Sequence, residues 1–224
     1  MTTVVAFDVN ETLLDLRALD PHFEALFGSS ALRAQWFAQM LQLAFVGGLT
    51  GEYVDFTTAQ HAALRMLGER QGIALDDATV ADVVSRMRTL PAHPEVAHAL
   101  RTLTGTPLRL VALTNSTADV AEAQLTHAGL RDLFEAALSA DTVRALKPAA
   151  AAYQHVADEC GVALSEVRLV AAHAWDISGA LAAGARAAFV TRPGMVLSPL
   201  GPGPDIVGSN LAEVTDLIIR RDVG

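Results

Sequence analysis

Apolar positions along this chain follow two rhythms. Residues 3–7 (TVVAF) form a short β-branched run that reads as a buried strand and stops at Asp8. From residue 16 to Pro94 no strand is evident. Instead, residues 20–27, 31–46, 53–72 and 76–90 space their apolar side chains three and four apart, which predicts helices. Gly47-Gly48, Gly72 and Pro91 punctuate that stretch. Beyond Pro94 strands and helices alternate. A helix at 95–103 precedes a strand at 108–113 (LRLVAL), and a helix at 117–128 closes on Gly129. A helix at 149–160 closes on Gly161, a strand covers 167–172, a helix covers 176–183 before Gly184, and a strand covers 187–191. The Gly/Pro-rich stretch 193–208 reads as a loop, and Ser209-Asn210 caps a last helix through Ile219.

Strands that alternate with helices imply right-handed βαβ units on a parallel sheet. The expected fold is α/β: a doubly wound, parallel-sheet (Rossmann-like) core with an inserted helical cap. The core takes residues 1–14 and 93–224, and the cap takes 15–92. Trp36, Phe37, Met40, Leu41 and Phe45 recur at helical spacing and read as the cap's own core, with some turned toward a ligand. Ligands of open α/β sheets sit at the carboxyl ends of the strands. That rule singles out Asp8, the Thr114-Asn115-Ser116 strand end and residues 173–176. Lys147-Pro148 precedes a helix on the same side.

Composition narrows the function classes. The chain has 224 residues, of which 51% are hydrophobic, enough for a substantial core. Its formal net charge of −9 argues against a nucleic-acid or anionic-membrane partner. Cys160 is the single cysteine, so no internal disulfide forms; it reads as structural, in a reducing compartment. No leader-like segment is evident, because Asp8 interrupts the first apolar run, and no stretch reaches the ~18 apolar residues needed to span a bilayer. A cytoplasmic protein is expected. All of the 16 basic residues except Lys147 are Arg. In a chain that spells basic positions as Arg, one retained Lys suggests a place where a compact ammonium is required.

These residues resemble the haloacid dehalogenase superfamily. The marks are Asp8 with Thr12 four residues on (FDVNETLLD), the LTNS strand end at 113–116, Lys147-Pro148, and the acidic loop HAWD at 173–176. Within it, the YVDF of 53–56, the spacing of Lys147 to Tyr153 and the AWD of 174–176 are most similar to the type II (L-2-haloacid) dehalogenases. The resemblance implies covalent catalysis. Asp8 would displace halide from a small 2-haloacid to give an aspartyl ester, and water would hydrolyse it to a 2-hydroxyacid. Lys147 would hold Asp8 ionised, Thr12 would hydrogen-bond it, and Asp176 would orient Lys147 or help activate the water. Val9, Asn10, Asn115, Ser116, Tyr153 and His173 would line the substrate side, with Asn115 and Ser116 holding a carboxylate and Tyr153 supporting the Lys–Asp group. No cofactor is implied, and a homodimer is compatible with the family.

The departures keep alternatives open. Asn10 stands where the dehalogenases carry an aromatic residue. The position expected to supply a halide-binding Arg, counted back from YVDF, falls on Gly47, and no Arg or Lys occurs between Arg33 and Arg65. Arg17 is placed to reach the site from the start of the insertion. His173 occupies an Asn position, where it could donate to a leaving group. The superfamily's Mg²⁺-dependent phosphohydrolases need an acidic residue at position 10 and more carboxylates near Asp176. That class, and a non-catalytic binder of a small acid or a protein, remain as alternatives.

Overall fold

The computed structural model describes residues 2–224. Its sheet has six parallel strands in the order β3-β2-β1-β4-β5-β6. They are β1 (Val4–Phe7), β2 (Arg109–Thr114), β3 (Ala136–Ser139), β4 (Val167–Ala171), β5 (Arg186–Val190) and β6 (Ile206–Gly208). The chain steps outward from β1 through β2 to β3, then crosses to β4 and runs to the other edge. The switch point therefore lies around β1, between β2 and β4, where an open α/β sheet forms its crevice. Phe7 pairs in register with Ala112 on one side and with Val170 on the other. Asp8 thus emerges at the level of Leu113 and Ala171.

Alternation along the strands fills two layers. Val5, Phe7, Leu110, Ala112, Val170 and Val190 face α5 (Val96–Thr104) and α9 (Leu211–Ile218). Val4, Ala6, Val111, Leu113, Leu169 and Phe189 face the other way, toward Tyr153, Val156, Ile177 and Ala180 of α7 (Ala150–Cys160) and α8 (Ala174–Ala183). Helix α6 (Ala118–His127) follows β2. Among the described residues no helix is long and apolar enough to cross a membrane.

Four helices stand between β1 and α5: α1 (Asp20–Phe27), α2 (Leu32–Thr50), α3 (Phe56–Arg70) and α4 (Asp77–Ser85). Trp36, Met40, Leu64, Leu67 and Val80 form their core, continuous with the first layer. Trp36 donates its indole N–H to Gln60 O at 3.0 Å, joining α2 to α3. The chain leaves and re-enters the sheet side by side: His93 N–H donates to Leu13 O (2.9 Å) and Asp15 N–H to Pro91 O (2.8 Å).

Three sequence expectations need correction. Gly47-Gly48 does not end α2, which runs on to Thr50 and closes on Gly51 at φ 79°. A Cβ on Gly47 would sit 2.7 Å from Glu52 O, so that glycine serves a close backbone approach, not a break. Strand β3 (AALS) escapes the pattern because it is short and lacks β-branched residues. Strand β6 lies inside the stretch expected to be a loop. Arg168, fully buried on β4, reaches for it: the guanidinium pairs with Asp205 at the start of β6, and with Asp222 at 2.6 and 3.0 Å. Tertiary charge pairing, not local propensity, places this edge and the C-terminal turn.

Removing one partner of a buried ion pair is costly, because the other charge stays desolvated. Asp222→Asn is expected to lower stability by about 3–5 kcal/mol. Urea denaturation would show it as a reduced midpoint, and an unchanged midpoint would refute the pairing as a determinant of this edge.

Candidate active site

The site forms where three strands end. The turn after β1 carries Asp8, and Glu11 within it adopts a left-handed backbone (φ 63°) that brings Thr12 back under Asp8. Thr12 Oγ1 donates to Asp8 Oδ2 at 2.6 Å and accepts from Ala172 N–H at 2.9 Å. One hydroxyl thus ties the turn to the end of β4.

Lys147 enters from the loop before α7, and none of it is exposed. Its Nζ donates to Asp8 Oδ1 (2.8 Å), Asp176 Oδ2 (2.6 Å) and Leu113 O (3.0 Å). All three ammonium hydrogens are used. Burial alone would push this ammonium down; Asp176 and Asp8 outweigh it and hold its pKa above the ordinary lysine value. Burial also drives the Asp176 carboxyl up; Lys147 opposes this, and Asp8 adds to it. Tyr153 donates its hydroxyl to Asp176 Oδ1 at 2.6 Å, and burial followed by the Asp176 charge raises its phenol well above the ordinary value.

Supporting contacts explain the placement. Asn115 clamps the Lys147 backbone in both directions: Lys147 N–H donates to Asn115 Oδ1 (2.7 Å), and Asn115 Nδ2 donates to Lys147 O (3.1 Å). Gly179 on α8 lets Pro148 and Tyr153 pack close; a Cβ there would meet both at 2.5 Å. Gln124, fully buried on α6, donates to Asn10 Oδ1 (2.9 Å) and Met87 O (2.8 Å). That turns the Asn10 amide nitrogen toward Ser116 Oγ, 3.4 Å away.

A narrow cavity opens on Asp8. Asn10, Thr114, Asn115, Lys147, His173 and Trp175 line it from the sheet side, and Phe37, Leu41 and Phe56 from the helical insertion. About 10 Å³ of it is accessible to the centre of a water molecule, room for about one water. His173 lies between Phe37, tilted against it at a centroid distance of 5.5 Å, and Trp175, edge-on at 5.2 Å, and its Nε2 lies 3.1 Å from Glu11 Oε2.

The structure thus gathers Asp8, Thr12, Lys147 and Asp176 into one hydrogen-bonded group, with Asn10, Asn115 and His173 at the cavity. One expected substrate contact is corrected: the Val9 side chain is fully buried in the core and does not line the cavity. Tyr153 supports the Lys–Asp group as expected, from behind Asp176, and is not on the substrate side. Asn115 lines the cavity, but its amide is consumed by Lys147. Ser116 lies just behind, its Oγ next to Asn10. Arg17 does not reach in: it turns to Asp15, with Nη2 to Oδ2 at 2.6 Å. Gly47 is packed against Glu52, so the insertion presents apolar side chains to Asp8 and no cation. Sequence reasoning passed over Glu11 and Gln124. Glu11 lay inside the quoted FDVNETLLD turn, whereas Gln124 carried no local signal.

A buried carboxylate at the end of β1, held by a lysine and facing a narrow cavity, is an arrangement suited to a hydrolase. A family profile described as haloacid dehalogenase-like hydrolase matches residues 2–184, and the chain belongs to that family. It is 30% identical to an (S)-2-haloacid dehalogenase of Pseudomonas sp. strain YL, covering 95% of this chain and 93% of the relative. It is 27% identical to haloacetate dehalogenase H-2 of Moraxella sp. strain B, covering 96% of each. The structure of L-2-haloacid dehalogenase from Xanthobacter autotrophicus with chloropropionic acid covalently bound superposes with a TM-score of 0.92 at 26% identity, covering 99% of this chain and 100% of that one.

Lys147 pairs with two buried carboxylates, so its removal has a pH signature. In Lys147→Met, Asp176 would face Asp8 with no cation to oppose its burial, and its folded-state pKa would rise further. A raised carboxyl pKa means the folded state binds more protons than the unfolded one, so stability falls as pH rises. The variant is expected to lose stability from about pH 4 to pH 7 more steeply than the parent, read from urea midpoints. Parallel pH curves would count against the ammonium's role.

Proposed function

We propose that this chain is a 2-haloacid dehalogenase, with residues 1–14 and 93–224 as its catalytic core and 15–92 as the cap over Asp8. The observation that carries the reading is Asp8 itself. One of its oxygens accepts from Lys147 and the other from Thr12, at the floor of a narrow, mostly apolar cavity.

Asp8 attacks the halogen-bearing carbon of a small (S)-2-haloacid. The carbon–halogen bond breaks, halide departs, and an ester joins Asp8 to the acid. Water then adds to the Asp8 carboxyl carbon and releases the 2-hydroxyacid. Lys147 keeps Asp8 ionised, Asp176 and Tyr153 keep Lys147 in place, and Thr12 aims the carboxylate. The substrate carboxylate takes the Asn10 amide hydrogens, with Ser116 Oγ behind that amide. With no cationic residue in the cap wall, the halide leaves toward Phe37, Phe56 and Trp175, whose positive ring edges suit a weakly hydrated anion. A cavity with room for about one water admits the substrate only when Phe37, Leu41 and Phe56 move.

Positive charge for the reaction comes from Lys147, so the reading needs no metal ion. Asp8 and Asp176, the carboxylates at the site, are already engaged by Lys147, Thr12 and Tyr153, and among the described residues no three His, Cys, Asp or Glu side chains cluster to hold a metal. The protein would act in the cytoplasm on a small carboxylate, with no nucleic-acid partner. Two copies would pair through the apolar positions Val46 and Leu49 exposed on α2.

Chloride release from (S)-2-chloropropionate, without added Mg²⁺, is the direct test. Asp8→Asn is expected to reduce it at least a thousandfold, as for removal of an essential nucleophile (about 10⁴–10⁶ where measured). Phosphate release from a phosphate ester with Mg²⁺, and no chloride release, would instead favour the phosphohydrolase reading.

A further inference from the structure

We propose that His173 is the general base for hydrolysis of the Asp8 ester, with Glu11 as its orienting partner. The inference rests on the dehalogenase reading and assigns the water-activating step within it.

Four observations converge on this ring. First, His173 is almost fully buried and lines the same cavity as Asp8. Second, its two nitrogens are in different situations. Nε2 lies 3.1 Å from Glu11 Oε2, while Nδ1 is buried and has no hydrogen-bond partner among the described residues. An ionised carboxylate only accepts, so in the neutral ring the proton sits on Nε2 and a lone pair remains on Nδ1. A buried acceptor without a donor is unfavourable, and a water in the cavity would satisfy it. Third, the cavity has room for about one water. Fourth, Asp176, the other candidate base, is already committed. One oxygen accepts from Lys147 and the other from Tyr153, and the residue does not line the cavity.

The arrangement follows the logic of a carboxylate–imidazole pair, in which the acid fixes the tautomer and stabilises the imidazolium as it forms. Glu11 is itself held. Its other oxygen lies 3.4 Å from Arg33 Nη1, and its backbone oxygen lies 3.1 Å from His93 Nε2. Burial pushes the Glu11 carboxyl up, and the charges of a protonated His173 and of Arg33 draw it down, so a proton arriving on the imidazole strengthens the pair. Phe37 and Trp175 fix the ring plane.

Water oxygen bonds to the Asp8 carboxyl carbon, and its proton passes to His173 Nδ1. The tetrahedral intermediate then breaks the bond between that carbon and the alkyl oxygen. The departing alkoxide takes the proton back from Nδ1 and leaves as the 2-hydroxyacid. The remaining carboxyl proton goes to solvent, and Asp8 is again a carboxylate.

The test is a single-turnover experiment with (S)-2-chloropropionate on the parent, His173→Gln and Glu11→Gln, following chloride release and, by intact mass, esterified protein. His173→Gln is expected to release its first chloride at close to the parent rate and then stall as the ester, with hydrolysis slowed about a hundredfold or more. Glu11→Gln should also accumulate ester, which keeps the test valid if the histidine variant does not fold. In the parent, ester hydrolysis should slow as pH falls, because a general base acts only unprotonated. The charged groups around the His173 ring are Glu11, with Arg33 and His93 behind it, and Asp8 and Lys147 across the cavity. That limb should vanish in His173→Gln. Ester hydrolysis at the parent rate, or chloride release and hydrolysis slowed together without ester, would overturn the assignment. A parent enzyme that neither releases chloride nor becomes esterified would refute the dehalogenase reading itself, and the base assignment with it.

Discussion

An ammonium group buried between two carboxylates organises this molecule. Lysine is almost never fully buried unless paired, because its charge loses its hydration. Here Lys147 recovers three hydrogen bonds, two of them to the charged groups Asp8 and Asp176. The surrounding architecture exists to make that arrangement stable. Strand β2 supplies Leu113 O and the Asn115 clamp, α7 brings Tyr153 to the far side of Asp176, and Gly179 lets α7 and α8 approach closely enough. Arg could not replace Lys147 in this space. Its planar fork is wider than an ammonium and needs a flat pair of acceptors, whereas the three acceptors here surround a point.

The same trio divides labour among the carboxylates. Asp176 is fully enclosed and serves as a fixed counter-charge. Asp8 has one edge on the cavity and is the carboxylate that a substrate can meet. Identical chemistry therefore acquires two roles from environment alone. The insertion adds the rest. Phe37, Leu41 and Phe56 dry the mouth of the site and strengthen each electrostatic contact inside it. Arg33, one turn before Phe37 on α2, is turned to Asp20 and Glu11. Its contact with the site runs through Glu11.

Much of this was legible along the chain, for identifiable reasons. Strands β1, β2, β4 and β5 announce themselves by continuous apolar runs, because a strand buried on both faces must be apolar throughout. Asp8 and Asp176 could be chosen because they follow strand ends, Lys147 because a single Lys among Arg residues is conspicuous, and Thr12 through the resemblance to the dehalogenase superfamily. Local chemistry also predicted the Asn210 cap and the stops at Gly161 and Gly184. What a sequence cannot display is which of two polar neighbours is already spent. Asn115 reads as a ligand and is a clamp; Gly47 reads as a break or a missing cation and is a close contact. Strand β6 and the C-terminal turn depend on Arg168, 37 residues away from Asp205 and 54 from Asp222. The pairing of His173 with Glu11 spans 162 residues and meets only when β1 and β4 lie side by side. Strand positions and the identity of the charged groups follow from periodicity and residue type, which are local. The partner each polar atom takes follows from desolvation in a packed interior, where an atom bonds whatever the fold brings within reach, and that is settled only in three dimensions.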